Sequence, residues 1–379
     1  MSLQVHATSK LFRLIQKDST TEARIGSVQT MHGVFQTPAF MPVGTQGTVK
    51  ALTPRDLQNL GAEIILSNAY HLFIRPGIEI IREAGGLHRF MGWPGPILTD
   101  SGGYQVFSLS RLRKITEEGV CFQSYFDGSE IFLTPERSIE IQEALGSDIA
   151  MIFDECPPYT RDRKRIKNSL DLTVKWAKRA KVSRRREEQA LFGIIQGGIF
   201  EDLRLESLEK TVELNFDGYA LGGLFVGESR EETYNVLDRI CPEMPNNRVR
   251  YLMGAGTPLE LLGAVSRGVD LFDCVNPTRY GRNGSAFTSK GLVVVRNGKY
   301  NRDFRPIDEG CRCYTCQTFS RSYLRHLFNC EEILGPQLVS IHNIFFFLDL
   351  MNQIRREIEI GTFASFKEHF EKQFDPNHR

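Results

Sequence analysis

Residues 148–154 read DIAMIFD: an aspartate, five apolar side chains without a break, then a second aspartate. A half-exposed strand would alternate apolar and polar residues, and an amphipathic helix would space its apolar ones by three and four. An unbroken apolar run closed by a polar residue instead describes a strand buried on both faces, as in a parallel sheet covered by helices. The same phrase recurs on either side. Upstream lie TPAFMPV (37–43), AEIILSN (62–68) and GPILTD (95–100); downstream lie LFGIIQ (191–196), GYALGG (218–223), RYLMG (250–254) and DLFD (270–273). Helix-like segments separate them.

Eight strand–helix units predict an α/β protein, a (β/α)8 TIM barrel, which needs about 250 residues. A doubly wound open sheet shares the period and stands as the alternative. The expected layout is a catalytic barrel over residues 1–279, a zinc-binding subdomain over 280–345, inserted or appended, and C-terminal helices over 346–379 packing on the barrel.

Barrels present their reagents at the C-terminal ends of the strands. Here those ends carry Asn68, Asp100, Asp154, Gln196, Gly223, Gly254 and Asp273. One aspartate after a strand is ordinarily a helix N-cap. Seven small or polar residues converging on one mouth exceed what caps require. Asp100 and Asp273 could divide labour, one attacking an acetal-type carbon while the other moves protons. Around them, TDSGGYQVFS (99–108) supplies Ser101, Gly103 and the aromatic Tyr104, with glycines that let backbone N–H groups approach a ligand. FDECPP (153–158) sets Asp154 beside Cys156, a carboxylate able to accept from the N–H edge of a purine. IIQGG (194–198) and LGGLFVGE (221–228) add an amide and bare backbone at Gly222 and Gly223.

Metal chemistry is written into CRCYTC. Cys311, Cys313 and Cys316, followed after 25 residues by His342, make a Cys3His set. Four such ligands close a tetrahedral zinc with no open position, so the Zn2+ is expected to be structural. Cys330 and His326 remain as other fourth ligands. Eight cysteines in 379 residues are too few for a disulfide scaffold, and their crowding at this loop points to a reducing compartment, the cytoplasm. The first twenty residues lack an uninterrupted apolar core, so no signal peptide is expected. The run IFFF (344–347), stopped by Asp349, is too short to span a bilayer, and no membrane contact is expected.

Net charge is +1, yet the charge is unevenly placed. Residues 161–186 hold twelve Lys/Arg against two Asp, and residues 279–325 hold ten against three Asp/Glu. Either run could be a solvated helix face or a polyanion contact. The second lies beside Asp273 and the cysteines, which favours phosphate there.

Taken together, TDSGGYQVFS, FDECPP, GIIQGG, LGGLFVGE, YLMGAGTP, FDCVNPTRYGRNG and the CxCxxC…H set resemble the queuine tRNA-ribosyltransferases (tRNA-guanine transglycosylases), in family order over most of the chain. Val226 and the absence of an appended RNA-binding module resemble the bacterial branch. The resemblance implies a pentosyltransferase that replaces guanine at the wobble position of tRNAs with a GUN anticodon by a 7-deazaguanine, preQ1 or queuine, in queuosine formation. It implies Asp273 as nucleophile at C1′ and Asp100 as general base. Asp154 and Gln196 would read the base edge, with the Gly223 N–H at its carbonyl and the Leu224 carbonyl near the 7-substituent. Tyr104 and Met253 would sandwich the ring, and Asn68, Ser101, Gly103, Cys156 and Gly222 complete the substrate-binding set. Arg279 and Arg282 would hold the anticodon loop, with Gly254 and Thr257 also facing RNA, and the enzyme would be a homodimer. Two departures stand out. Phe225 replaces a small residue and would reshape the end of the pocket that receives the 7-substituent; Thr257 replaces a lysine found in some members. A retaining glycosidase or nucleosidase using the same carboxylates is the competing activity.

Overall fold

A computed structural model describes residues 11–109, 113–124 and 126–375. The reading that excludes a leader rests partly on residues 1–10, which lie outside the described part. All eight apolar runs form parallel strands of one sheet: β1 (Ala39–Pro42), β2 (Ile65–Ser67), β3 (Ile97–Thr99), β4 (Ile149–Met151), β5 (Ala190–Ile195), β6 (Gly218–Leu221), β7 (Val249–Leu252) and β8 (Leu271–Cys274). Their order is β1-β8-β7-β6-β5-β4-β3-β2. The two ends of this sheet meet through a parallel bridge between Val43 and Leu66, where the Gly44 N–H donates to the Leu66 carbonyl at 2.6 Å. The sheet is therefore a barrel, and the open alternative falls.

Burial explains the missing alternation. Every residue of β1 to β7 is buried, as expected of strands with side chains in the barrel interior on one face and under helices on the other. In β8 the pattern breaks once, at Asp273, which is partly exposed. Helix starts follow local chemistry: Thr134 and Asp162 cap the helices Pro135–Leu145 and Arg163–Ser183, and Ser229 and Thr257 form full capping boxes before Arg230–Ile240 and Pro258–Val265.

Two antiparallel sheets were not anticipated. One, Phe12–Lys17, Arg24–Thr30 and Gly33–Thr37, closes the N-terminal end of the barrel with Phe12, Val28 and Phe35 in the barrel core. Two buried carboxylates fasten this floor. Asp270 takes the Arg24 guanidinium at 2.5 and 2.9 Å. Asp148 accepts from the rings of His32 (2.9 Å) and His88 (3.1 Å) and from the backbone N–H groups of His32 and Ile97. The other sheet, Arg113–Ile115, Val120–Gln123 and Glu130–Leu133, lies between the helix after β3 (Gly103–Leu109) and the helix Pro135–Leu145.

After β8 come a helix (Asn276–Arg282), a hairpin (Ser285–Thr288, Gly291–Val294), the cysteine loop and two short helices, around a small core that includes Val293, Tyr300, Ile307, Leu324 and Phe328. The chain then enters a 26-residue helix, Leu334–Glu359. His342 lies in its first half; Phe347, Leu350, Met351, Ile354 and Ile358 of its second half join the barrel core, with the Phe347 ring 4.9 Å from Phe40 of β1. The expected boundary at 345/346 thus falls inside one continuous helix. Asp349 does not end it: its carboxylate accepts from Gln353 and Arg312 instead. By length and composition this helix could cross a membrane, but 67% of its apolar window is buried in the protein, which makes it a core helix.

Candidate active site

The C-terminal mouth of the barrel gathers the polar strand ends. Asp100 follows β3 and is buried; its carboxylate accepts from Asn68 Nδ2 at 2.5 Å and from the Ala69 N–H at 2.8 Å. Burial pushes the Asp100 carboxyl up to about 6 against these bonds, and the charge of Asp273 adds to the rise. Asp273, although part of the residue reaches solvent, is raised too, chiefly by desolvation of its carboxylate, while a Tyr251 hydroxyl at 2.6 Å and the Gly254 N–H at 2.9 Å act in the other direction. Asp100 follows β3 and Asp273 lies near the end of β8, so both stand at the C-terminal mouth of one barrel.

A second pair stands at the same mouth, on β4 and β5. Asp154, after β4, accepts from Gln196 Nε2 at 2.7 Å and from Ser101 Oγ at 3.5 Å. Burial pushes it also to about 6, reinforced by neighbouring Glu155. Gln196 is fixed through its own N–H to Ser207 Oγ at 3.1 Å. Gly222 and Gly223 crowd this amide: a Cβ on Gly222 would sit 2.7 Å from Gln196 Nε2, and one on Gly223 would sit 2.6 Å from Oε1, at a φ of +63°. Gly103 likewise leaves no room, its absent Cβ falling 2.8 Å from the Asp154 carbonyl. Cys156 is buried beside Asp154, and desolvation raises its thiol to about 12, so it stays protonated. Leu224 is buried, and Met253 packs partly buried beyond β7. Tyr104 is 54% exposed on the first turn of the helix after β3. With β3 and β7 on opposite sides of an eight-stranded ring, Tyr104 and Met253 stand across the mouth.

Phe225 is not among the residues that line the space beside the Gln196 amide. Its ring packs partly buried against the barrel core, and Val226, with Gln196, Gly223, Tyr159 and Glu228, lines the space beside the amide. The reason is backbone: Phe225 adopts φ +57°, and its N–H and that of Val226 both donate to the Glu228 carboxylate. Thr257 is also accounted for locally, since its hydroxyl accepts from the Glu260 N–H as a helix cap.

The basic runs differ in degree: in 161–186, Lys164, Lys178, Lys181 and Arg185 have no carboxylate partner among the described residues, whereas in 279–325 Arg305, Arg312 and Arg321 do have one. In 161–186, Arg161, Arg163, Arg165, Lys167, Lys175, Arg179, Arg184 and Arg186 are all paired with carboxylates of this chain. Arg279 and Arg282, exposed on the helix that leaves Asp273, have no carboxylate partner among the described residues, nor do Lys290, Arg296 and Arg302. Unspent cationic charge therefore lies at the mouth and on the cysteine-rich side.

Cys311, Cys313, Cys316 and His342 converge, their ligand atoms within 4.8 Å of one another. His342 Nδ1 lies 3.6, 3.5 and 3.3 Å from the three sulfurs. A tetrahedral zinc, with Zn–S about 2.3 Å and Zn–N about 2.0–2.1 Å, separates sulfur from nitrogen by about 3.6 Å. His342 Nε2 lies 2.6 Å from the Phe287 carbonyl, which fixes the proton there and leaves Nδ1 free to ligate. The residues fit a closed zinc set. Cys330 and His326 pair with each other elsewhere.

Sequence reasoning missed Tyr251 and Glu228. Tyr251 reads as one more apolar residue of β7, and only the register, which sets it against Leu271 two residues before Asp273, reveals its hydroxyl's target. Glu228 looks like a surface acid until the turn folds back on it.

A family model described as queuine tRNA-ribosyltransferase matches residues 18–376. The chain is 57% identical over 364 residues to a queuine tRNA-ribosyltransferase of Thermoanaerobacter sp. (strain X514), covering 96% of this chain and 97% of that protein. It is 54% identical over 363 residues to one of Halothermothrix orenii, covering 96% and 97% respectively. It is 54% identical over 367 residues to one of Listeria innocua, covering 97% of each. A parallel eight-stranded barrel, a Cys3His cluster and a match along nearly its whole length place the chain in the queuine tRNA-ribosyltransferase family of enzymes.

Proposed function

We propose that the chain exchanges guanine at the wobble position of GUN-anticodon tRNAs for a 7-deazaguanine through a covalent Asp273–ribose intermediate. The observation that carries this reading is the convergence of Asp100, Asp154, Gln196 and Asp273 at the C-terminal strand ends of one closed barrel. In the first half-reaction an Asp273 oxygen bonds C1′ as the C1′–N9 bond breaks, and Asp100 in its acid form protonates the departing guanine. In the second, Asp100 takes the N9 proton of the incoming base, N9 bonds C1′, and the electron pair of the C1′–O bond returns to Asp273. Asp154 as carboxylate accepts from the purine N–H edge, Gln196 and the Gly223 N–H meet its carbonyl side, and Tyr104 and Met253 cover its faces. The bases of the loop are splayed out to reach this slot.

Arg279 and Arg282 meet phosphates of the anticodon loop, since their charges are not spent within the chain. Cys311, Cys313, Cys316 and His342 would hold one zinc, which supplies folding free energy and no open coordination position. The residues between β8 and the long helix form the zinc subdomain. Val226 borders the end of the cavity that receives the 7-substituent; competition among guanine, preQ1 and queuine assigns the natural base. Eight unpaired cysteines support a reducing, cytoplasmic setting. Exposed Phe304 and Tyr314 offer apolar surface for a homodimer, which sedimentation checks.

Incubation with tRNA and labelled guanine tests the chemistry. Exchange incorporates label and leaves an RNA adduct stable to a denaturing gel; Asp273→Ala abolishes both while keeping the fold. Base release without incorporation would identify a nucleosidase instead.

A further inference from the structure

The two oxygens of Asp273 are not equivalent. Oδ1 takes both donors, the Tyr251 hydroxyl at 2.6 Å and the Gly254 N–H at 2.9 Å. Among the described residues no donor is assigned to Oδ2. Tyr251 is 1% exposed, and β7 fixes it in register between Ala220 of β6 and Leu271 of β8. Its phenol is driven well above its ordinary range by burial and by the adjacent carboxylates, so it remains a donor at every working pH.

We infer that Tyr251 is a positioning residue that reserves Oδ2 for attack on C1′ and hastens release of the sugar from Asp273. The inference rests on the base-exchange reading. Its physical content is an asymmetry between the half-reactions. In the free enzyme Oδ1 belongs to a carboxylate and accepts strongly; in the adduct it is an ester carbonyl and accepts weakly. The hydrogen bond therefore strengthens as the C1′–Oδ2 bond breaks and negative charge returns to Asp273, which stabilises that transition state. For the same reason it weakens as Asp273 attacks, so it does nothing to speed adduct formation. A residue that merely propped up the barrel would slow both steps together.

Tyr251→Phe with a chase experiment separates these. Adduct is formed on tRNA, then excess 7-deazaguanine is added and its loss followed. Adduct loss should slow by about tenfold to a hundredfold, the range for a hydrogen bond to a charged group. Adduct formation should proceed at an undiminished rate above its acid limb, that limb should move to higher pH, and the KM for tRNA should change by no more than about twofold. Loss of adduct at the wild-type rate, or equal slowing of both steps, overturns the inference. Should Tyr251→Phe fold poorly, 3-fluorotyrosine at position 251 keeps the shape and strengthens the donor, and adduct loss should then accelerate; no acceleration also overturns it. Wild-type protein that forms no adduct at all refutes the base-exchange reading instead.

Discussion

Asp100 and Asp154 are both carried by burial to about 6; Asp154 must be ionised to accept from the base, and Asp100, the acid of the first half-reaction, must be ionised to take the proton in the second. A raised carboxyl is protonated below its folded value, so exchange should decline as pH falls through about 6. A pH profile of kcat/KM checks this, and a limb near the ordinary carboxylate value would contradict it; the limb belongs to the coupled set, not to one residue. At the same scale, Arg279→Ala should weaken tRNA binding at every sequence and reduce the slope of log K against log salt by about one, read by titration at several salt concentrations. Arg163→Ala, at an internally paired position, should leave that slope unchanged. The candidate carboxylates, amide and arginines were legible because each closes an apolar run or follows one. Tyr251 was not legible, since a strand-interior tyrosine announces burial and says nothing of where its hydroxyl ends.

Among elements, the strands declared themselves because continuous Val, Ile, Leu and Phe admits few other readings. The N-terminal sheet did not, because RLIQK and GVFQT are short, mixed in polarity and recognisable only by what they cover. Its tie to the barrel, Asp148, is held at about 2: burial alone would raise this carboxyl, but hydrogen bonds from His88, Ile97 and His32 outweigh it. A depressed carboxyl contributes stability above its unfolded value of 3.8 and loses it as pH falls toward 2. The contribution is about 2 kcal/mol. His88→Ala should therefore lower Tm at neutral pH and flatten the fall in stability between about pH 4 and 2, measured by thermal unfolding against the parent. At the cysteine loop, Cys313→Ser should release the metal and lower Tm, with zinc content by mass spectrometry falling from one to none per chain. Full stability without metal would remove the structural assignment.

Across the whole molecule, barrel class and Cys3His set could be read from spacing, whereas the path between them could not. Spacing records how far apart ligands lie in the chain, not which wall the connecting helix completes. The helix Leu334–Glu359 answers that: it carries His342 in its first half and covers β1, the first strand, with its second. The chain therefore covers this flank of its cylinder only after the cysteine loop has been made. A ribosome releasing residues 1–279 has produced every strand but left one flank of the barrel bare. Cover for that flank must wait for some eighty more residues, so synthesis places the cysteine loop ahead of the last wall of the core.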